Sequence, residues 1–125
     1  MKKYFSFILI AIFMTTFFST TVFATTNNNI DQVINRVETL DAKINKEIQI
    51  AQFVADKIIA SNLTSQETDR AIDMIINLLI QTTNMQVENV VQFAYDNGII
   101  VIKQYITVEI GGRLVIIDPL RVWED

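Results

Sequence analysis

Between Ile30 and Gly98 the apolar residues recur every three or four positions, and beyond Gly98 they recur every second position. That change of period constrains the fold more than any other feature. A stripe spaced for 3.6 residues per turn buries as a helix, whereas strict alternation buries as one face of a strand. In the first part, Ile30, Val33, Val37, Leu40, Ile44, Ile48, Ala51, Ala55 and Ile58 form one stripe, which predicts a helix over 30–60. At about 1.5 Å per residue it would run roughly 45 Å. Asn29 is placed to cap it and Gln32 to reach back as the capping-box partner, while Asp31 lies where the helix dipole favours a negative charge. The step from Ile44 to Ile48 replaces the three residues a strict heptad would use, which locally unwinds a supercoil. Asn35, Lys46, Gln49, Gln52 and Asp56 mix charge signs on the opposite face, as a solvated surface does.

Ser61-Asn62-Leu63 breaks this pattern, and Thr64 with Glu67 makes a second capping box that opens a helical stretch over 65–96. From Ile72 to Ile80 only Asp73 and Asn77 are polar. They sit close together on a helical wheel, so the apolar arc is about 240° wide and needs cover on two sides. Gln81-Thr82-Thr83-Asn84 is weak by helix propensity, which favours a break at Thr83-Asn84 before Val87, Val90, Val91 and Ala94 resume the spacing. Gly98 reads as the C-terminal stop of this stretch.

Ile106, Val108 and Ile110 then alternate with Tyr105, Thr107 and Glu109, Gly111-Gly112 makes a tight turn, and Val115 and Ile117 continue the alternation. A two-residue turn sets Ile110 opposite Arg113, Val108 opposite Val115 and Ile106 opposite Ile117. Pro119 cannot donate to a ladder and Lys103-Gln104 interrupts the alternation nearly opposite it, so a bulge or bend is expected there. The fold class is α+β: two or three helices packed on a C-terminal two-stranded antiparallel β-hairpin over 99–123, whose apolar face covers the second side of Ile72 to Ile80.

The N-terminus carries Lys2 and Lys3, an apolar run from Phe5 to Phe18 and small residues at Val22 and Ala24. This predicts a bacterial-type secretory signal peptide over 1–24, cleaved after Ala24, with a polar leader at 25–29 and a single domain over 30–125. The run is shorter than the roughly 18 to 20 apolar residues of a permanent span. The expected location is secreted, periplasmic or on the envelope exterior. With no cysteine in the chain, lipid acylation and disulfides are excluded. Loss of Lys2 and Lys3 leaves eight basic and fourteen acidic side chains, a net charge of −6. An acidic domain of about 100 residues supports one core. It is a poor match to nucleic acid or anionic lipid, where cationic side chains carry the affinity.

The chain has neither histidine nor cysteine, so it lacks a Ser-His or Cys-His nucleophile, an imidazole base and the usual zinc ligands. Asp69 and Asp73, one helical turn apart beside Arg70, are the nearest carboxylate pair. Glycosidase carboxylates face each other across a cleft, so this pair reads instead as a solvated turn. Asp96-Asn97-Gly98 lacks the alternating ligands of a calcium loop, and Gly111-Gly112 leads into a strand rather than a phosphate-binding helix. Asn62-Leu63-Thr64 matches a glycosylation sequon, a pattern common by chance. Trp123 reads as a core plug at the chain end. Gly98, Gly111, Gly112, Pro119 and Trp123 are thus structural, and no cofactor or metal is implied.

What remains is a small exported non-enzymatic interaction or structural protein. Its hairpin edge, where Tyr105, Thr107 and Glu109 turn their N–H groups outward, is the expected partner-binding element, for a second copy or for an envelope or secreted protein. The alternative is an exported carrier of small apolar ligands, held between the helices and the hairpin.

Overall fold

The computed structural model describes residues 29–122. The expected signal peptide, the leader up to residue 28 and Trp123 lie outside the described residues. Two long helices, α1 (Asn29–Ala60) and α2 (Ser65–Asp96), are followed by strands β1 (Val101–Lys103), β2 (Ile106–Ile110), β3 (Arg113–Ile117) and β4 (Leu120–Val122), an α+β arrangement.

Helix α1 buries Val33, Val37, Leu40, Ile44, Glu47, Ala51, Val54 and Ile58, alternating steps of four and three. The heptad therefore runs unbroken through the point where the apolar pattern skips, because its seam position there is the acidic Glu47. Ile48 and Ala55 are buried beside that seam and widen it. Asn29 is already helical, so it is not the cap the sequence suggested.

Helix α2 opens as expected. Thr64 is extended (φ −66°, ψ 160°) and its Oγ1 accepts from the Glu67 N–H at 3.2 Å. The break expected at Thr83-Asn84 is absent, and α2 is one helix of 32 residues. Thr83 is buried, and its hydroxyl donates within the helix to the carbonyls of Leu79 at 2.8 Å and Ile80 at 3.1 Å. A side chain that would otherwise compete for the backbone is thereby satisfied. Burial of Leu79, Thr83 and Val87 then outweighs propensity differences of about 0.7 kcal/mol or less per residue.

At its other end α2 stops as the glycine predicts. Ile99 N–H donates to Ala94 O and Gly98 N–H to Tyr95 O, each at 2.9 Å, with Gly98 at φ +72°. This is the Schellman pattern, in which a left-handed residue lets the chain turn back over the last turn and satisfy its carbonyls.

The predicted register of β2 and β3 holds, with Ile106 opposite Ile117, Val108 opposite Val115 and Ile110 opposite Arg113. β1 pairs with β4 as Val101–Val122, Ile102–Arg121 and Lys103–Leu120. Each strand contributes two residues between the two ladders, Gln104-Tyr105 on one side and Asp118-Pro119 on the other. No extra residue is inserted, so the interruption is a bend and not a bulge. Gln104 N–H still reaches Pro119 O at 2.6 Å, but Pro119 has no N–H to return the bond.

Two changes occur together at this point. The buried positions pass from Val115 and Ile117 to Leu120, a change of parity along the strand. The neighbours also exchange: β2 and β4, which belong to opposite strands of the ribbon, pack mainly on α1, whereas β1 and β3 lie on α2. Turning a ribbon over on its long axis does both at once, and two-stranded ribbons twist more strongly than wide sheets. The missing proline bond marks where the turn-over is accommodated.

The core is one cluster in which Ile44, Ile58, Ile75 and Leu79 from the helices meet Ile110, Ile117 and Leu120 from the hairpin. Ile72 closes the turn end. A Cβ added at Gly111 (φ +59°) would stand 2.9 Å from Ile72 Cδ1, while Gly112 (φ +81°) has open space above it. Both glycines are needed for backbone conformation, but only Gly111 is also needed for packing. Gly112→Ala is expected to cost about 1 kcal/mol of stability from positive φ alone. Gly111→Ala should cost about 1 to 3 kcal/mol more through overpacking. Denaturant unfolding checks this, and Ile72→Val should recover part of the Gly111→Ala loss; equal costs at the two glycines would contradict the close approach.

Candidate functional site

The hairpin has an inner face in the core and an outer face on which little packs. Residues 114–117 of β3 are Leu-Val-Ile-Ile, apolar on both sides of the strand. Val115 and Ile117 go inward, so Leu114 and Ile116 must point out, and they are 78% and 63% exposed. Tyr105, between β1 and β2, is 67% exposed. Thr107 lies opposite Ile116 and Glu109 opposite Leu114, and both are exposed. The three residues assigned to the edge are thus on the open side of the hairpin, alongside two apolar residues that the period-two reading passed over. The signal was present in the run of four apolar residues, two more than a strand with a single buried face requires.

The edge itself is only partly free. Positions 105, 107 and 109 alternate with the hydrogen-bonded pairs, so their backbone groups face away from β3. Gln52 of α1 takes one of these groups, its Nε2 donating to Glu109 O at 3.0 Å. Helix α1 therefore closes the turn end of this edge, and the part around Tyr105 and Thr107 stays open. Blunting one end of an edge is a common way to limit strand pairing to a chosen stretch.

Charged side chains hold the hairpin on the helices. Arg113 lies against both Asp69 and Asp73 of α2, with its Nη2 3.3 Å from Asp69 Oδ1. The acidic pair that read as a solvated turn is thus an anchor for the hairpin. These groups are partly exposed, so each contact is worth about 0 to 1 kcal/mol and serves orientation more than stability. Lys103 bridges Glu88 of α2 at 2.9 Å and the mostly buried Asp118 at 3.7 Å. The Glu88 hydrogen bond, opposed in part by desolvation, raises the Lys103 ammonium above the ordinary lysine value.

A second feature lies at the far end of the hairpin. A cleft of about 630 Å³ opens between α1 and β4, with Ile34, Val37, Leu120 and Val122 as apolar walls and Glu38, Asp41, Gln104 and Arg121 as polar ones. Asp41 ties the two elements together, its Oδ1 accepting from Leu120 N–H at 2.9 Å. Burial raises the Asp41 carboxyl above the ordinary aspartate value, although the Leu120 bond pulls the other way.

Among the described residues no group of three or more carboxylates is arranged to hold a metal, and no helix is long and apolar enough to cross a membrane. No family model matches the chain, and no curated protein or solved structure shows a significant similarity to it.

The exposure of Leu114 and Ile116 leads to a stability test. Measured in dilute solution, Leu114→Lys and Ile116→Lys should each change stability by no more than about 1 kcal/mol, within the range of surface strand substitutions. Ile117→Lys should cost several kcal/mol, because it places an unpaired charge in the core. Thermal melts compare them, and unfolding by Ile116→Lys would mean the outer face is not open.

Proposed function

We propose that the protein is an exported, non-enzymatic interaction protein that associates with a second copy of itself through the hairpin. The observation that carries this reading is the outer surface formed by Tyr105, Leu114 and Ile116, continuous with the open edge at Tyr105 and Thr107. An apolar face beside unpaired backbone groups fits strand addition, in which main-chain bonds give affinity and alternate side chains give register. Two copies of β2 meeting antiparallel about a two-fold axis would extend the sheet and join the two apolar faces. Gln52 on Glu109 O favours pairing centred near Thr107 rather than at the turn. Export is part of the proposal and rests on Lys2, Lys3, the apolar run and Val22-Phe23-Ala24.

A second reading, a carrier of small apolar ligands, draws on the cleft between α1 and β4. Its volume of about 630 Å³ lies within the roughly 300 to 1,000 Å³ of small-molecule sites. Native mass spectrometry separates the two readings, since one yields twice the subunit mass and the other a subunit carrying extra ligand mass.

Sedimentation equilibrium of the mature protein at micromolar concentration is expected to show a dimer. Thr107→Pro, which removes an outward donor, and the double variant Leu114→Lys with Ile116→Lys should each weaken it tenfold or more, about 1.4 kcal/mol, with helical circular dichroism retained. A wild type that stays monomeric, or a dimer indifferent to both changes, would refute the proposal.

A further inference from the structure

Midway along the seam between the helices, Glu47 of α1 faces Gln86 of α2 and is only 2% exposed. Gln86 Nε2 donates to Glu47 Oε1 at 3.0 Å. The remaining oxygens of the two groups, Glu47 Oε2 and Gln86 Oε1, are both buried and neither has a hydrogen-bond partner among the described residues. With Glu47 ionised, both of these atoms are acceptors and nothing between them can donate. Leaving two acceptors unsatisfied in a core is costly, and more so for a charged one. A single proton on Oε2 removes both deficits, because a carboxylic acid carries one donor and one acceptor in the plane that a carboxamide matches.

We infer that Glu47 is held in the folded protein as a neutral carboxylic acid, its Oε2–H donating to Gln86 Oε1 while Gln86 Nε2 donates to Oε1, and that ionisation of Glu47 loosens the seam between α1 and α2. The two hydrogen bonds close a ring across the helix pair. Loss of the proton leaves one bond, two facing acceptors and a buried charge.

The surroundings agree. Burial is the largest influence on the Glu47 carboxyl and raises it above the ordinary glutamate value, while the Gln86 bond and the Lys43 ammonium, one turn earlier on α1, act the other way. From α2 the neighbouring core side chains Thr83, Val87 and Val90 are uncharged. Of the hairpin cations, Lys103 and Arg113 are held by Glu88 with Asp118 and by Asp69 with Asp73, and Arg121 lines the cleft with Glu38 and Asp41 of α1. A folded-state value above the unfolded one contributes stability that is complete below the unfolded value and is lost as pH rises through the folded one. Glu47 thus favours the closed helical pair in acid, opposite to a carboxylate held in an ion pair.

Carbon-detected NMR of the Glu47 side-chain carboxyl in the whole protein should give a titration midpoint above the ordinary glutamate value of about 4.3. Glu47→Gln supplies a permanent donor to Gln86 Oε1. Its melting temperature should match wild type in acid and exceed it increasingly as pH rises through the folded-state value. Glu38→Gln, at an exposed position of the same helix, should show no such widening. A water donating both to Oε2 of an ionised Glu47 and to Gln86 Oε1 would give a midpoint at or below the ordinary value, and that result overturns the inference, as does a Glu47→Gln deficit that is the same at every pH. If Glu47→Gln does not fold, the wild-type titration decides alone.

Discussion

The apolar seam between the two helices supports everything else in the structure. Val33, Ile44, Ile58, Ile75, Leu79 and Val87 are wholly enclosed there, and a helix of this length gains most of its stability from such burial rather than from propensity. The hairpin by itself would be marginal in water, since two strands cannot cover their own faces. It is ordered because α1 and α2 together present a surface that neither helix could supply alone. Glu47 interrupts that seam with a polar group whose partner, Gln86, stands across it on α2. Sliding the helices past each other would set its carboxyl against apolar side chains, so the pair specifies register as a buried polar residue does in a coiled coil.

A ribbon lying over two parallel ridges has two inner faces to fill. By turning over at Gln104-Tyr105 and Asp118-Pro119, it puts Val115 and Ile117 into the core at one end and Leu120 at the other. The polar contacts then fall at intervals along its length. Arg113 meets Asp69 and Asp73 near the turn, Gln52 meets the Glu109 carbonyl, Lys103 meets Glu88, and Asp41 meets the Leu120 amide. Each is modest in energy, but together they fix which face of the ribbon looks outward. The exposure of Tyr105, Leu114 and Ile116 follows from that choice and is not an incidental feature of loose packing.

Much of this was legible in the residues because it depends on period and on a few special backbone positions. The helix start at Thr64, the stop at Gly98, the two-glycine turn and the strand register of Ile106, Val108 and Ile110 all follow from local rules. The continuity of α2 did not, since Thr83 is a poor helix former until its hydroxyl bonds back to Leu79 and its methyl is buried. Glu47 was hidden because an apolar count treats it as a gap, although its distances from Ile44 and Ala51 are those of a seam position. Asp69 and Asp73 looked like a solvated turn because their partner, Arg113, lies 40 residues or more away in sequence. The outer apolar face was written into residues 114–117, yet which of its two sides would be covered depends on the ribbon turning over, which no single strand reveals.

The proposed association through the open edge would place the Tyr105 and Thr107 amides at the centre of the interface, whereas the Val108 amide already bonds across the hairpin. Amide hydrogen exchange followed as a function of protein concentration tests this directly. Exchange at Tyr105 and Thr107 is predicted to slow as concentration rises through the micromolar range, while Val108 stays constant. Equal and concentration-independent rates at Tyr105 and Thr107 would contradict an interface at this edge.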